Sequence, residues 1–308
     1  MVCRGEDTFM GLIFDILVIL IVIYAIYSNA KRGFGKVLVF GIGYIVATLL
    51  ASVLSAVAAP ACYEAMSRDS NISAIEAANE QVDFAQVFTD KINAEDYGFS
   101  VNKRQIETLM LDIKNGEFDD RIYDFVISKT GEGAVEKGHF QNMLNDAFIE
   151  AFGKQLEDRM PEYVCRDFEK SAKKDPQLMR KMMRECYDSN QTPREIAERV
   201  EDLFSANTTT EVIQIFLYLI LFSILMVIAA FIGNILQNKL FFNIRNSTDH
   251  ILGGLIGILE AGVMITLLTM IVRLIVLLTG GQSLLFSEET INSSFLFSFL
   301  YRNFQFLL

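Results

Sequence analysis

The chain has 308 residues, 52% of them hydrophobic, and a formal net charge of −11. Composition this apolar and this acidic requires the two residue types to occupy different stretches, and the acidity argues against a nucleic-acid binder, which needs a clustered excess of Lys and Arg. Residues 61–211 hold 31 of the 38 acidic and 19 of the 27 basic residues, while the long apolar runs fall in 1–60 and 212–308.

A membrane-spanning helix needs about 20 mainly apolar residues. Residues 10–28 form the first such run, with one acid, Asp15. Its flank sets Arg4 against Glu6 and Asp7, so it lacks the positive n-region of a secretory signal. A basic island follows, with Lys31, Arg32 and Lys36 around Gly33 and Gly35, which permit a tight turn. The island lacks the G-x-G-x-x-G spacing of a nucleotide loop. The second run, 37–59, has no charge and carries Gly43, Ala47, Ala51, Ser55 and Ala59 at four-residue steps, a stripe suited to close helix packing. Residues 1–60 therefore read as a transmembrane hairpin.

Residues 61–211 read as an acidic helical insert. Apolar spacing of three and four recurs at Ile106, Leu109 and Ile113; at Leu144, Phe148, Ala151 and Phe152; and at Ile196, Val200, Leu203 and Phe204. Asp175-Pro176 and the capping box Thr192-Pro193-Arg194-Glu195 mark helix starts. A second hairpin, 212–280, contains the runs 212–236, with Ala229 and Gly233, and 251–278, with Gly253, Gly257 and Ala261. Its short loop carries Lys239 and Arg245. Residues 281–308 read as an amphipathic segment on the membrane surface.

Both short loops are basic, which places them in the cytoplasm and puts the insert and both termini outside. The five loop cations, Lys31, Arg32, Lys36, Lys239 and Arg245, also suit anionic lipid headgroups. Three ionisable residues lie within the spans. Asp15 and Arg273 sit at similar depths near the outer ends and can pair. Glu260 lies about 14 Å from the inner end, on the face of Gly253 and Gly257. Three readings are open for it: protonated, hydrogen-bonded to Thr48, Ser52 or Ser223, or exposed to a water-filled path.

The four cysteines all fall on the outer side. Among the three possible connectivities, spacing about the turns suggests Cys3–Cys62 and Cys165–Cys186. The two histidines, His139 and His250, fall on opposite sides, and no HExxH, CxxC, GxSxG or P-loop pattern occurs. No enzyme, cofactor or metal site is expected.

These parts resemble the colicin V production protein (CvpA) family. The resemblance is carried by Asp15, by Arg32-Gly33-Phe34, by the glycine pattern from His250 through Gly253 and Gly254 to Gly257, and by the terminal segment from Ser293 to Tyr301. It covers roughly residues 8–66 and 212–304. Glu260 departs from the basic or small residue more usual there, and the insert is far longer than the family's outer loop. The resemblance implies a bacterial inner-membrane protein tied to toxin production or export and to envelope or biofilm processes, with no established catalytic activity. The expected fold is all-α, with four transmembrane helices and an extracytoplasmic helical domain between the second and third. Expected contacts are the bilayer and, through residues 61–211, a second copy or an envelope protein. The alternative is a small transporter or channel with Asp15, Glu260 and Arg273 lining a polar path.

Overall fold

A computed structural model describes residues 3–95, 97–111, 117–131, 133–187, 191–237, 246–279 and 286–303, with side chains for all of these except 3–10, 35–36, 236–237 and 246–247. Among the described residues every regular element is helical. In chain order they are α1 (Cys3–Arg32), α2 (Phe34–Met66), α3 (Arg68–Gln81), α4 (Phe84–Ala94), α5 (Lys103–Leu111), α6 (Phe118–Thr130), α7 (Lys137–Glu157), α8 (Glu162–Lys174), α9 (Gln177–Cys186), α10 (Pro193–Gln237), α11 (Asn246–Thr279), α12 (Glu288–Ser293) and α13 (Leu296–Asn303). Four of them, α1, α2, α10 and α11, are long and apolar enough to cross a membrane.

The chain divides into two compact units, residues 1–62 with 210–308, and residues 63–209. The divisions fall inside α2 and α10. Helix α10 starts at the capping box read from sequence: the Thr192 N–H donates to Glu195 Oε2 at 2.8 Å, and the Glu195 N–H to Thr192 Oγ1 at 3.3 Å. Its first two to three turns are charged, from Arg194 to Asp202, and its apolar run begins only at Val212.

In the first unit α1 packs along α11 at glycine-limited distance. A Cβ on Gly257 would lie 2.6 Å from the Ala25 carbonyl oxygen and 2.8 Å from Ile26 Cα; one on Gly253 would lie 2.6 Å from the Asn29 carbonyl oxygen. Such contacts bring two backbones together, the packing that replaces hydrophobic burial as the drive for association in lipid. Along α2, Ala47, Ala51, Ser55 and Ala59 are buried, and a Cβ on Gly43 would stand 3.0 Å from Ala229 Cβ of α10. The outward faces are apolar and exposed, for example Leu20, Val53, Val227 and Phe231.

The second unit is built around α7. Phe140, Leu144, Phe148, Phe152 and Leu156 recur at four-residue steps, and all are fully buried. Phe84 of α4 meets Phe148 at a centroid distance of 5.6 Å, Phe168 of α8 meets Phe152 at 5.3 Å, and Phe204 of α10 meets Phe168 at 5.0 Å. Helices α3, α4, α6 and α8 pack on α7, α5 on α4 and α6, and α9 on α8, in one continuous buried core, and most acids are left to the surface. One exception is Asp119, 1% exposed, which is held by Arg180 at 2.7 Å.

The terminal segment is helical and packs on the first span. It forms two short helices, α12 and α13, both docked on α1. Phe297 is fully buried and stacks on Phe14 at 4.7 Å, and Ile291 joins the same cluster.

Candidate functional site

The polar groups of the spans form three separate arrangements. At the end of α1, Gly33 takes φ +81°, and a Cβ there would lie 2.0 Å from Asp249 Oδ2. Asp249 Oδ1 accepts the Phe34 N–H at 3.0 Å, so an acid from α11 caps α2. His250 Nδ1 donates to the Ala30 carbonyl oxygen at 2.6 Å. The Arg-Gly-Phe turn thus needs glycine both for its backbone and for the carboxylate pressed against it. Arg32 and Lys31 are exposed there, Lys31 with its ammonium 4.5 Å from the Tyr27 ring centroid. The Lys36 side chain, Lys239 and Arg245 lie outside the described residues.

Deeper in the bundle, Glu260 receives the Asn29 amide N–H on Oε2 and the Tyr44 hydroxyl on Oε1, the latter at 3.3 Å. Of the expected partners, neither Thr48 nor Ser223 serves. Thr48 and Ser223 donate one turn back along their own helices, to the Tyr44 and Leu219 carbonyl oxygens at 2.8 and 2.7 Å. Asn29 also donates to the Ala25 carbonyl oxygen at 2.8 Å, and it is 2% exposed. The acid is therefore tied between α1, α2 and α11 by two neutral donors. Sequence reading missed both. Asn29 falls one residue past the first apolar run, and Tyr44 resembles any aromatic of a span.

At the opposite end, Asp15 and Arg273 do not pair. Arg273 binds Glu211 of α10, and Asp15 accepts three backbone N–H groups, from Phe295 at 2.9 Å, Leu296 at 2.8 Å and Phe297 at 3.0 Å. A helix N-terminus offers several unsatisfied donors together with a positive dipole end, and these draw the carboxylate away from the guanidinium. Glu211 was legible as the acid immediately preceding an apolar run, but nothing in the sequence pairs it with a residue 62 positions later.

In the second unit, Glu201 is fully buried. It accepts hydroxyls from Tyr63 and from Ser205 at 3.2 Å, and its Oε2 has no partner among the described residues. Burial pushes its carboxyl up to about 7, with Asp202 adding to the shift and Ser205 opposing it. Thr208 donates to Asp167, which continues the polar seam down α10. The acid was hidden in the surface count of the insert.

The predicted disulfides are not present. Cys62, Cys165 and Cys186 are free thiols, and the Cys3 side chain lies outside the described residues. Cys165 is buried and turned toward the Met160 carbonyl oxygen at 3.8 Å, whereas Cys186 faces Asn79 of α3 at 3.7 Å. Flanking the same turn did not bring the two sulfurs together. Burial pushes the thiols up to about 11 and about 12, so both are poor nucleophiles.

Two hollows differ sharply in lining. One of about 130 Å³ is bordered by Arg121, Arg180 and Arg184, but Arg180 is held by Asp119, Arg184 by Glu117, and Arg121 by the Leu109 carbonyl oxygen. The other, about 460 Å³, is a groove between α2 and α10 lined only by aliphatic residues and glycine, among them Ile42, Val46, Leu225 and Ile228. Among the described residues no group of three His, Cys, Asp or Glu side chains is placed to hold a metal. Comparison of the chain with protein families, curated proteins and solved structures gives no match.

Proposed function

We propose that the chain is a non-catalytic, multi-pass scaffold or accessory protein of a bacterial cytoplasmic membrane. Its insert and both termini lie outside, and the insert engages an envelope protein or a second copy. The observation that carries this reading is the separation of the three intramembrane ionisable groups. Asp15 lies fourteen residues before Asn29 on α1, and Arg273 thirteen after Glu260 on α11, roughly 20 Å in each case at helical rise. Each group is absorbed by a different part of the bundle. Groups so placed join helices, whereas a transport path calls for groups in succession. The resemblance to the colicin V production family adds toxin production or export and envelope processes as the setting.

The test combines two measurements. Photo-crosslinkers on the insert surface in native membranes are expected to trap a defined neighbour or a second copy. Vesicles reconstituted with the Glu260→Gln and Glu260→Leu variants are expected to match wild type in solute and ion permeability. Flux that is present in wild type and abolished by Glu260→Gln would replace the scaffold reading with the transport one.

A further inference from the structure

The N-terminus of α13 is completed by a residue from another helix. Of the first backbone donors of this segment, those of Phe295, Leu296 and Phe297 go to Asp15, and that of Ser298 goes to Ser294 Oγ at 2.9 Å. In or beside hydrocarbon, donors left without partners are costly, so the cap decides whether this helix can exist there. The fit extends beyond the cap. A Cβ on Gly11 would lie 2.8 Å from the Ser293 carbonyl carbon, Phe14 stacks on Phe297, and Arg302 donates to Asn292 Oδ1 at 2.6 Å.

Docking this way turns one face of α13 outward. Phe295 is 84% exposed and Phe299 64%, with Leu296 beside them, while Phe297 faces α1. Helix α1 likewise exposes apolar side chains in the turns around Asp15, at Leu12, Ile13 and Ile16. The depth of α13 is set by Asp15, five residues inside the apolar run that begins at residue 10, about 8 Å along the helix. Amphipathic helices at a membrane surface bury their apolar face about 5–10 Å into the headgroup–acyl boundary. The latch and the preferred depth of such a helix therefore agree.

We propose that α13 is a lipid-inserting surface helix held at the headgroup–acyl boundary by Asp15, with Phe295 and Phe299 embedded in the leaflet at the N-terminal end of α1. Asp15 is then a positioning residue and has no part in an ion path. The proposal rests on the membrane-spanning reading but does not depend on which leaflet is the outer one.

The chain contains no Trp, so Phe299→Trp supplies a single fluorophore. In nanodiscs of phosphatidylcholine and phosphatidylglycerol it is expected to be quenched most by lipid nitroxide at acyl carbon 5 and little by iodide. Leu20→Trp, at mid-span of α1, is expected to be quenched most at carbon 12. Quenching of Phe299→Trp by iodide alone, or shielding from both quenchers as in a protein interface, overturns the proposal. If Leu20→Trp also escapes lipid quenching, the membrane-spanning reading falls with it, which separates the two failures. Amide exchange tests the latch: Asp15→Ala is expected to speed exchange at Phe295–Phe297 by roughly tenfold, the effect of losing an ordinary cap. Asp15→Asn, which keeps an accepting oxygen, is expected to retain most of the protection. Unchanged exchange in Asp15→Ala overturns the latch.

Discussion

Glu201 shows how one side chain makes a domain sensitive to its medium. The carboxyl ordinarily titrates near 4.5 and is pushed up to about 7 in the fold. Between those values the folded chain holds a proton that the unfolded chain has released, so stability falls as pH rises through this window and levels off above it. The full difference corresponds to about 3 kcal/mol. Thermal unfolding of the detergent-solubilised full chain, followed by exchange at core amides of residues 63–209, is therefore expected to show a lower Tm at pH 8 than at pH 5. Glu201→Gln should remove most of this slope and raise stability at pH 8, because the amide never has to ionise in the buried seam. A slope unchanged by Glu201→Gln would mean that other groups control it. Nothing local in the chain sets this acid apart. It stands among 31 acidic residues of the insert, and only the partners Tyr63 and Ser205, one of them 138 positions away, distinguish it from a solvated neighbour.

Among whole helices, legibility depended on whether the deciding interaction was local. The capping box of α10, the aromatic column of α7 and the four apolar runs are each set by neighbours three or four residues apart, and all were readable. The partners of Asp15, Glu260 and Arg273 are set by which helices meet at a given height, which periodicity does not encode. Glycine is an intermediate case. Gly253 and Gly257 were legible as a small-residue pair, but the helix they face, α1, was not. Two glycines five residues apart on α11, and so on different faces, should separate packing from propensity. Gly257→Ala puts a Cβ 2.6 Å from a backbone oxygen of α1, which cannot move aside as a side chain can. Gly262 has nothing within 4 Å. Gly257→Ala is expected to destabilise the bundle by about 1–3 kcal/mol through overpacking. Gly262→Ala should be neutral or stabilising by up to ~1 kcal/mol through helix propensity. Denaturation in mixed micelles reads both, and equal effects would show that α1 and α11 do not pack on this face. In the insert, Phe152→Ala removes a fully buried ring that touches Phe84, Phe148, Phe168 and Phe204. It is expected to cost about 3–5 kcal/mol, read as faster exchange across residues 63–209.

For the whole molecule, the question is which way the chain threads the bilayer, and the charge distribution makes a prediction. Short loops vote by their Lys and Arg content, whereas long domains translocate largely regardless of charge. The turn at Gly33 carries Lys31, Arg32 and Lys36, and the loop before α11 carries Lys239 and Arg245. With two helices between them, α2 and α10, these basic loops fall on one side, and the insert's net charge of about −12 then stands on the other. The two votes agree, so neither hairpin has to be inserted against its own charges. In a variant with all four cysteines replaced, Lys31→Cys is expected to resist a membrane-impermeant maleimide in intact cells and to react after permeabilisation. Glu150→Cys, on the exposed surface of α7, is expected to react in intact cells. The reverse pattern would invert the topology and place the acidic domain in the cytoplasm. Charge reversal supplies a second measure. Replacing Lys31, Arg32 and Lys36 by Gln removes one vote and leaves Lys239 and Arg245. If both loops contribute, a minority of chains should then label at residue 31 in intact cells. If the second loop alone decides, labelling should not change.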